Sequence, residues 1–407
     1  MKDLANILFC IYIFLIPLIP SEINGKNYSN LTQIVLFLTV ILYIFQIIKT
    51  KKVYKIKQNI MEFITNKIYI SLIIFLGIMV LSAIYASDKS LAIKESIRFF
   101  TYIVTMYLVS QCFDEREKER VIFTFIITTF VISVLGIIQY FTGIGADMHI
   151  YSSARPRIQA TLDNPNTLGA FQVLMLFPLL SLMRVKQKNI TLKIFIIITT
   201  VLCFSNIVIS MSRSALIGLG VGLILLIFIF GKKILILIVP VGAVVLAMPS
   251  ALSRIKQITD KTQNDSRIKI WNVAAKMMKD HPIGGVGNGN FITNYPKYVK
   301  MYPQFKEEGV DVFPSHNSYL KVGSELGVIG ELSFIVILLL ILREAFYFIK
   351  NKGESLNSYF IEGFVVVIIP FLVMNCFDNI LFVPKVATYF WIMVAMLFSF
   401  RKKKSTF

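Results

Sequence analysis

Apolar runs of roughly 16–21 residues recur along the chain, each long enough to cross a hydrocarbon layer of about 30 Å as a helix. Apolar residues make up 56% of the chain and charged residues 16%, with a mean hydropathy of +0.71. A soluble domain carries about 25% charged residues. The sequence therefore predicts an all-α polytopic membrane protein. It excludes a secreted disulfide scaffold and, despite the net charge of +19, a soluble nucleic-acid binder.

We count twelve predicted spans. They are residues 4–20, 31–48, 68–86, 99–113, 121–141, 167–183, 194–209, 215–230, 234–249, 319–342, 358–374 and 380–400. The first is interpreted as a retained anchor, because no small-residue cleavage site follows it. With a cytoplasmic N-terminus, the short inside segments carry 23 Lys and Arg residues and the short outside loops carry 7. The positive-inside rule then predicts that both termini are cytoplasmic, with the basic tail 401–404 against lipid headgroups.

The chain divides into three predicted parts. Residues 1–249 hold spans one to nine, 250–318 form a long extracytoplasmic loop, and 319–407 hold the last three spans and the basic tail. The loop is rich in aromatic residues, which argues against disorder. We predict a loop helix that begins at Asp265 and Ser266, ends near Asp280, and lies on the membrane or over a cavity mouth. Its predicted apolar face consists of Ile268, Trp271, Ala275 and Met278.

The glycine run and the cysteines indicate structural roles rather than a cofactor-binding site. The glycine run 284–289 (GGVGNG) follows a helix instead of a strand, so it fails as a dinucleotide motif. Two interpretations remain, a turn that lets the backbone approach another element and an anion-binding nest. The four cysteines are widely separated and form no metal-ligand spacing. We therefore predict no metal and no cofactor.

Three polar side chains stand out at the outer face. His316 lies where the loop re-enters the membrane, and a neutral imidazole is a suitable general base near pH 7. A helix-capping histidine is the alternative. Arg213, in a tight hairpin, and Arg267, on the loop helix, have alternatives as a lipid-anchoring and a surface charge. Together with Arg157, they would suit a diphosphate, because guanidinium groups bind phosphate bidentately and stay charged.

Few charges fall inside the predicted spans. They are Lys321, Glu325, Glu331, Glu362 and Lys385. Such residues are functional candidates by default. Lys321 and Glu325 lie four residues apart on one helix face, so mutual neutralisation is the simpler interpretation.

The chain resembles the O-antigen ligase and Wzy-type polymerase superfamily of bacterial envelope glycosyltransferases across residues 155–390. The segments that carry the resemblance are 157–166 (RIQATLDNPN), 212–215 (SRSA), Arg267 with Trp271, 282–287 (PIGGVG), 316–320 (HNSYL), 325–327 (ELG), and Asp378 with Pro384. Each motif is weak alone, but their order along the chain, with a long outside loop before the histidine, is fairly specific.

The resemblance implies a GT-C-like enzyme of twelve helices that works at the outer face of the bacterial cytoplasmic membrane. The donor would be a glycan on undecaprenyl diphosphate, and the transfer would be metal-independent and inverting. The family's essential histidine corresponds to His316 and its essential arginines to Arg213 and Arg267, while Arg157 is a weaker match. Secondary candidates are Asn317, Glu325 and Asp378.

Three functions compete at this stage. A ligase would join the lipid-linked glycan to a lipid core or a protein. A polymerase would join one lipid-linked repeat unit to another. A transporter or flippase is less favoured, because no half-length repeat is found and the polar cluster lies at one membrane face rather than at the midplane.

Overall fold

The computed structural model describes residues 2–20, 22–23, 26–27, 29–49, 53–145, 157–186, 189–230, 252, 261–307 and 313–402. The helices in these ranges are α1 Lys2–Leu18, α2 Ser29–Lys49, α3 Val53–Thr65, α4 Lys67–Ser82, α5 Lys89–Tyr107, α6 Glu115–Thr142, α7 Pro165–Leu182, α8 Ile190–Ile209, α9 Arg213–Phe230, α10 Lys261–Asp280, α11 Phe291–Met301, α12 Ser318–Asn351, α13 Leu356–Met374 and α14 Pro384–Lys402. A π-helical turn, Leu108–Cys112, extends α5, and 3-10 turns occupy Pro303–Phe305 and Ile380–Phe382. Strands β1 Glu22–Ile23 and β2 Lys26–Asn27 pair antiparallel.

The predicted helical membrane architecture is confirmed. Six helices in the described part of the chain are long and apolar enough to cross a membrane, or seven if α3 and α4, bent by 76° at their junction, form one span. Three shorter apolar helices lie in α1, α9 and α14. The ninth predicted span, 234–249, lies outside the described residues. The count of twelve and the domain boundaries therefore stay predictions.

The fourth predicted span begins too late. Helix α5 starts at Lys89, ten residues before the apolar run at 99, because Asp88 caps it by accepting a hydrogen bond from the Leu91 amide at 2.9 Å. The charged first half of α5 is thus helical. Hydropathy marks only the part of a helix that is apolar, whereas the cap decides where the helix begins.

Helices α7 and α13 form the middle of the bundle, and each packs against α9 as well as against the other. Small residues allow these contacts to be close. A Cβ atom at Gly363 of α13 would lie 2.3 Å from the Phe177 carbonyl oxygen of α7, and one at Gly169 would lie 2.7 Å from the Ala215 Cβ of α9. Such small-residue contacts are typical of helix packing in membranes, where dispersion forces replace the hydrophobic effect.

The described part of the long loop carries a second apolar core. Helices α10 and α11 bury Ile270, Val273, Ala274, Met277, Phe291, Tyr295, Tyr298 and Val299. The predicted boundaries and face of the loop helix are partly wrong. Helix α10 begins at Lys261 rather than at Asp265, and Ile268 and Ala275 are exposed. The periodicity misleads because apolar residues occupy two faces of α10, and the buried stripe is Ile270, Val273, Ala274 and Met277 rather than the predicted one.

The glycine run meets α12 where that helix is broken. Gly327 has φ 65° and ψ −167°, a conformation open essentially only to glycine, and it interrupts the helical hydrogen bonds. Backbone groups of the run replace them, which satisfies polar groups that would otherwise lack partners. The bonds are Val286 N to Ser324 O at 2.9 Å, Gly287 N to Glu325 O at 2.8 Å and Val328 N to Pro282 O at 2.8 Å. The interpretation of the run as a close-approach turn is confirmed.

Candidate functional site

Four segments of the chain meet at Asp378, in the turn after α13. Its side chain is 9% exposed. The Oδ1 atom lies 3.1 Å from His316 Nδ1, while Oδ2 accepts a hydrogen bond from Ser214 Oγ at 3.0 Å and lies 4.0 Å from Arg267 Nη2. These partners come from the segment before α12, the first turn of α9 and the first half of α10. The structure thus brings together His316 and Arg267, which sequence reasoning placed only on a common membrane face, and adds Ser214 to them.

The backbone around His316 is held in an unusual conformation. His316 has φ 46°, in the left-handed region, which costs on the order of 1–3 kcal/mol for a residue with a side chain. Asn317 fixes this geometry from the following position. Its Oδ1 atom caps α12 by accepting from the amides of Tyr319 and Leu320, both at 3.0 Å, and its own amide donates to Asn379 Oδ1 at 2.9 Å. The helix cap at this motif is therefore Asn317, not His316.

The imidazole of His316 is partly open. Its side chain is 27% exposed, and Phe313 packs edge-on against the ring at a centroid distance of 6.1 Å. If Nδ1 carries the hydrogen and donates it to the Asp378 carboxylate, Nε2 keeps a free lone pair. A carboxylate that fixes the tautomer in this way is the arrangement that a histidine general base needs.

Part of the positive charge of the site comes from the beginning of α9. Arg213 is the first residue of this helix and is half-buried. Ser212 caps the helix by accepting from the Ala215 amide at 3.3 Å, and its Oγ atom lies 3.1 Å from Ser214 Oγ. The N-terminal end of a helix carries a partial positive charge and favours anions. Arg213 adds a full charge to this end, and Arg267, 17% exposed, lies 4.0 Å from the Asp378 carboxylate.

Arg157 has a different position from the other two arginines. Its Nε atom donates to the Ser210 carbonyl at 3.2 Å, and Nη2 donates to Asn166 Oδ1 at 3.0 Å and to the Met211 carbonyl at 3.5 Å. Met211 also has a positive φ, 52°. Arg157 therefore supports the strained turn between α8 and α9 that directly precedes Arg213.

Glu325 forms contacts that stabilise the loop. Its side chain is 3% exposed, and Oε1 lies 2.5 Å from Lys321 Nζ, so the predicted pairing is confirmed. The carboxylate also accepts from the amides of Gly289 at 2.9 Å and Phe291 at 3.2 Å. Through these hydrogen bonds, Glu325 links the start of α11 to α12. Lys385 has a similar structural setting, with Nζ 2.7 Å from Asp163 Oδ2 and 2.6 Å from the Thr161 carbonyl.

Sequence reasoning missed the hydroxyl and amide groups that hold the site together. Ser318 Oγ donates to Asn375 Oδ1 at 2.6 Å, and Ser315 Oγ donates to Asn379 Oδ1 at 3.0 Å. These bonds join the histidine motif to the turn that carries Asp378. One signal was present in the sequence, since Asn375, Asp378 and Asn379 form a polar cluster between two strongly apolar runs.

The side chains of the described residues do not form a metal-binding cluster. Within those ranges there is no group of three or more His, Cys, Asp or Glu residues placed to hold a metal ion. The metal-independent chemistry stays a prediction.

Residues 198–335 match the family model described as O-antigen ligase. The predicted family resemblance is confirmed. The match covers about a third of the chain and includes Arg213, Arg267 and His316, whereas Arg157 and Asp378 lie outside it. Together with the apolar helices, it supports a ligase- or polymerase-type enzyme that crosses a bacterial membrane several times.

The chain is also similar to an uncharacterized protein of Haemophilus influenzae. The two sequences are 28% identical over 198 residues, which is 44% of this chain and 47% of the relative. The chain therefore spans about half the length of the curated relative it matches.

Proposed function

We propose that the protein is an O-antigen ligase-like glycosyltransferase that moves a glycan from undecaprenyl diphosphate to an acceptor hydroxyl on a lipid core or a protein. The observation that carries the proposal is the convergence on Asp378 of His316, Arg267 and the first turn of α9. One potential base and two cationic elements then surround a single site. These are the groups that transfer from a diphosphate requires.

His316 is the proposed general base. The acceptor hydroxyl oxygen attacks the anomeric carbon of the donor sugar, and its proton passes to Nε2 of His316. The carbon–oxygen bond to the diphosphate breaks as the new glycosidic bond forms, and the polyprenyl diphosphate leaves with the bonding electrons. A single displacement of this kind inverts the configuration at the anomeric carbon.

Arg213 and Arg267 are the proposed ligands of the leaving group. Negative charge grows on the diphosphate as the bond breaks, and fixed cations stabilise that charge in the transition state. The helix N-terminus at Arg213 adds to the same field. Arg267 lies 4.0 Å from Asp378, too far for a tight hydrogen bond, so its guanidinium donors are available to a diphosphate. Arg157 takes a supporting role through the turn before Arg213.

We place this site on the outer face of the bacterial cytoplasmic membrane, with both termini in the cytoplasm. The distribution of Lys and Arg between the short loops supports this orientation. The donor's isoprenoid chain would remain in the bilayer while its glycan reaches the aqueous side.

The test is glycan transfer by the purified protein from a polyprenyl diphosphate-linked donor, in the presence of excess EDTA. His316→Ala should lower kcat by about 10²–10⁴-fold, the usual contribution of a general base. His281→Ala is the matched control, because His281 is exposed and lies outside the site. We expect this control to retain wild-type activity.

The products decide the reaction type. Glycan on a core lipid or protein acceptor supports the ligase, whereas a ladder of longer lipid-linked glycans identifies a polymerase. Full kcat in His316→Ala contradicts the assignment of the base, and loss of transfer in EDTA contradicts the metal-independent reaction.

A further inference from the structure

A cavity of about 610 Å³ opens between helices at the end of the bundle that carries the candidate site. Its walls come from the last turns of α1, the first half of α2, the middle of α5 and the first turns of α14. We propose that this cavity binds a membrane phospholipid whose head group carries one phosphate and free hydroxyls, as phosphatidylglycerol does.

The cavity has the polarity gradient of such a lipid. Along α2 the polar lining residues Thr32 and Gln33 come first, and Leu36, Phe37 and Val40 follow one to two turns later. Along α5 the two charged lining residues, Lys94 and Arg98, also come first, and mainly apolar residues follow from Phe100 to Val104. A polar entrance above an apolar interior matches an amphiphile with its head at the interface and its chain inside the bundle.

The charges at the entrance favour an anion. Arg98 is held by Glu95, with Nη1 2.6 Å from Oε1, and Lys385 is held by Asp163. Lys94 is exposed, and none of the ion pairs between described residues includes it. Its ammonium group is therefore available for a lipid phosphate, an attraction worth about 1 kcal/mol for each basic residue near a membrane surface.

Gln33 supplies the second, independent observation. Its Oε1 atom is buried at the cavity wall and accepts no hydrogen bond from the described residues. Buried acceptors of this kind nearly always have a partner, since leaving one unsatisfied costs free energy. A rotation of the Gln33 amide toward the cavity would bring this oxygen within reach of a hydroxyl donor on the head group, and a quaternary ammonium head group has no such donor.

The occupant differs from the proposed glycan donor. Neither Arg213, Arg267 nor His316 lines the cavity. A donor with its diphosphate at those arginines would have no use for a second cation at Lys94. The cavity brings its own cation and its own hydrogen-bond acceptor, so it is suited to a separate lipid.

The experiment uses the full chain in nanodiscs of equal phosphatidylglycerol and phosphatidylcholine, transferred to detergent and examined by native mass spectrometry. We expect the wild type to retain one phosphatidylglycerol per chain in preference to phosphatidylcholine. Lys94→Gln should lower that preference about fivefold, the equivalent of the attraction of one lysine. Lys89→Gln, at another exposed lysine on α5 that does not line the cavity, should leave the preference unchanged.

A filling variant tests the cavity itself. Val104→Trp places an indole among the apolar lining residues and should reduce retention of both lipids. Because this change could also impair folding, the conclusion depends on the surface pair Lys94→Gln and Lys89→Gln. Equal retention of the two lipids by the wild type, or equal effects of the two lysine variants, would overturn the proposal. So would displacement of bound phosphatidylglycerol by a polyprenyl phosphate, which would assign the cavity to the donor.

Discussion

Replacing Asp378 by asparagine tests whether the carboxylate orients His316 for proton transfer. The substitution keeps the size of the side chain but removes its charge. It also removes the acceptor that lies 3.1 Å from His316 Nδ1 if the amide nitrogen takes the Oδ1 position. The imidazole would then lose the partner that fixes its tautomer.

The size of the effect follows from the surroundings of the pair. In a fully buried catalytic triad, the same change costs about 10⁴-fold in kcat. His316 is 27% exposed, so water can replace part of the lost interaction. The loss also cannot exceed the contribution of the base itself, about 10²–10⁴-fold. We therefore expect kcat to fall by about 10²–10³-fold.

The assay is steady-state glycan transfer, with kcat and the KM of the donor measured separately. Arg267 lies 4.0 Å from the same carboxylate, so Asp378→Asn removes a competitor for its guanidinium. The KM of the donor should therefore hold or fall while kcat drops. A variant that had merely lost its structure would show a higher KM and lower abundance. Asp265→Asn makes the same chemical change at an exposed carboxylate of α10 and should be silent.

A double variant gives the decisive comparison. If Asp378 acts only through His316, the variant His316→Ala with Asp378→Asn should be no less active than His316→Ala alone, because residues that act as a unit are not additive. Multiplying losses would show that Asp378 has an independent role. An Asp378→Asn enzyme with wild-type kcat would refute the orienting role outright.

Three further predictions concern the leaving group, the orientation in the membrane and the broken helix. Arg267→Lys keeps the charge but loses bidentate hydrogen bonding, and it should lower turnover about 10²-fold at unchanged abundance; full turnover would mean that charge alone is needed. In a background without native cysteines, a cysteine at Lys297 should react with an impermeant thiol reagent in intact cells and one at Glu354 should not, and the reverse pattern would invert the proposed orientation. Gly327→Ala should destabilise the protein by more than about 1–3 kcal/mol, the cost of its backbone conformation alone, because the new Cβ would also lie 2.2 Å from the Ile283 carbonyl oxygen. The measurement is a lower midpoint of thermal unfolding, and Gly77→Ala, with no atom within 4 Å of its new Cβ, should not destabilise the protein.

The helix carrying Arg267 shows where sequence periodicity stops being informative. Its existence and its end at Asp280 could be read from local signals, because a proline and glycines follow. Its buried face could not. The predicted stripe included Ile268, which is 47% exposed, because the helix carries two apolar stripes and periodicity does not say which of them is buried.

The sequence by itself determined the class of the molecule and suggested its candidate site residues. Hydropathy is summed over neighbouring residues, so apolar runs predict spanning helices without knowledge of their partners. His316 was a candidate because it is one of only three histidines and lies where the loop re-enters the membrane, whereas Arg213 and Arg267 became candidates mainly through the family resemblance. The close approach at the glycine run could be anticipated for a local reason, since glycine tolerates conformations that other residues do not.

Only the tertiary structure decided which of those residues lie together. Ser214, Arg267 and His316 lie 164, 111 and 62 residues before Asp378, and their meeting depends on how α9, α10, α12 and α13 pack. The same packing assigned Glu325 to the loop and Arg157 to the turn before Arg213. A hydrogen bond between distant segments leaves no periodic trace in the sequence, because its geometry is set by the bundle as a whole and not by the neighbours of either residue.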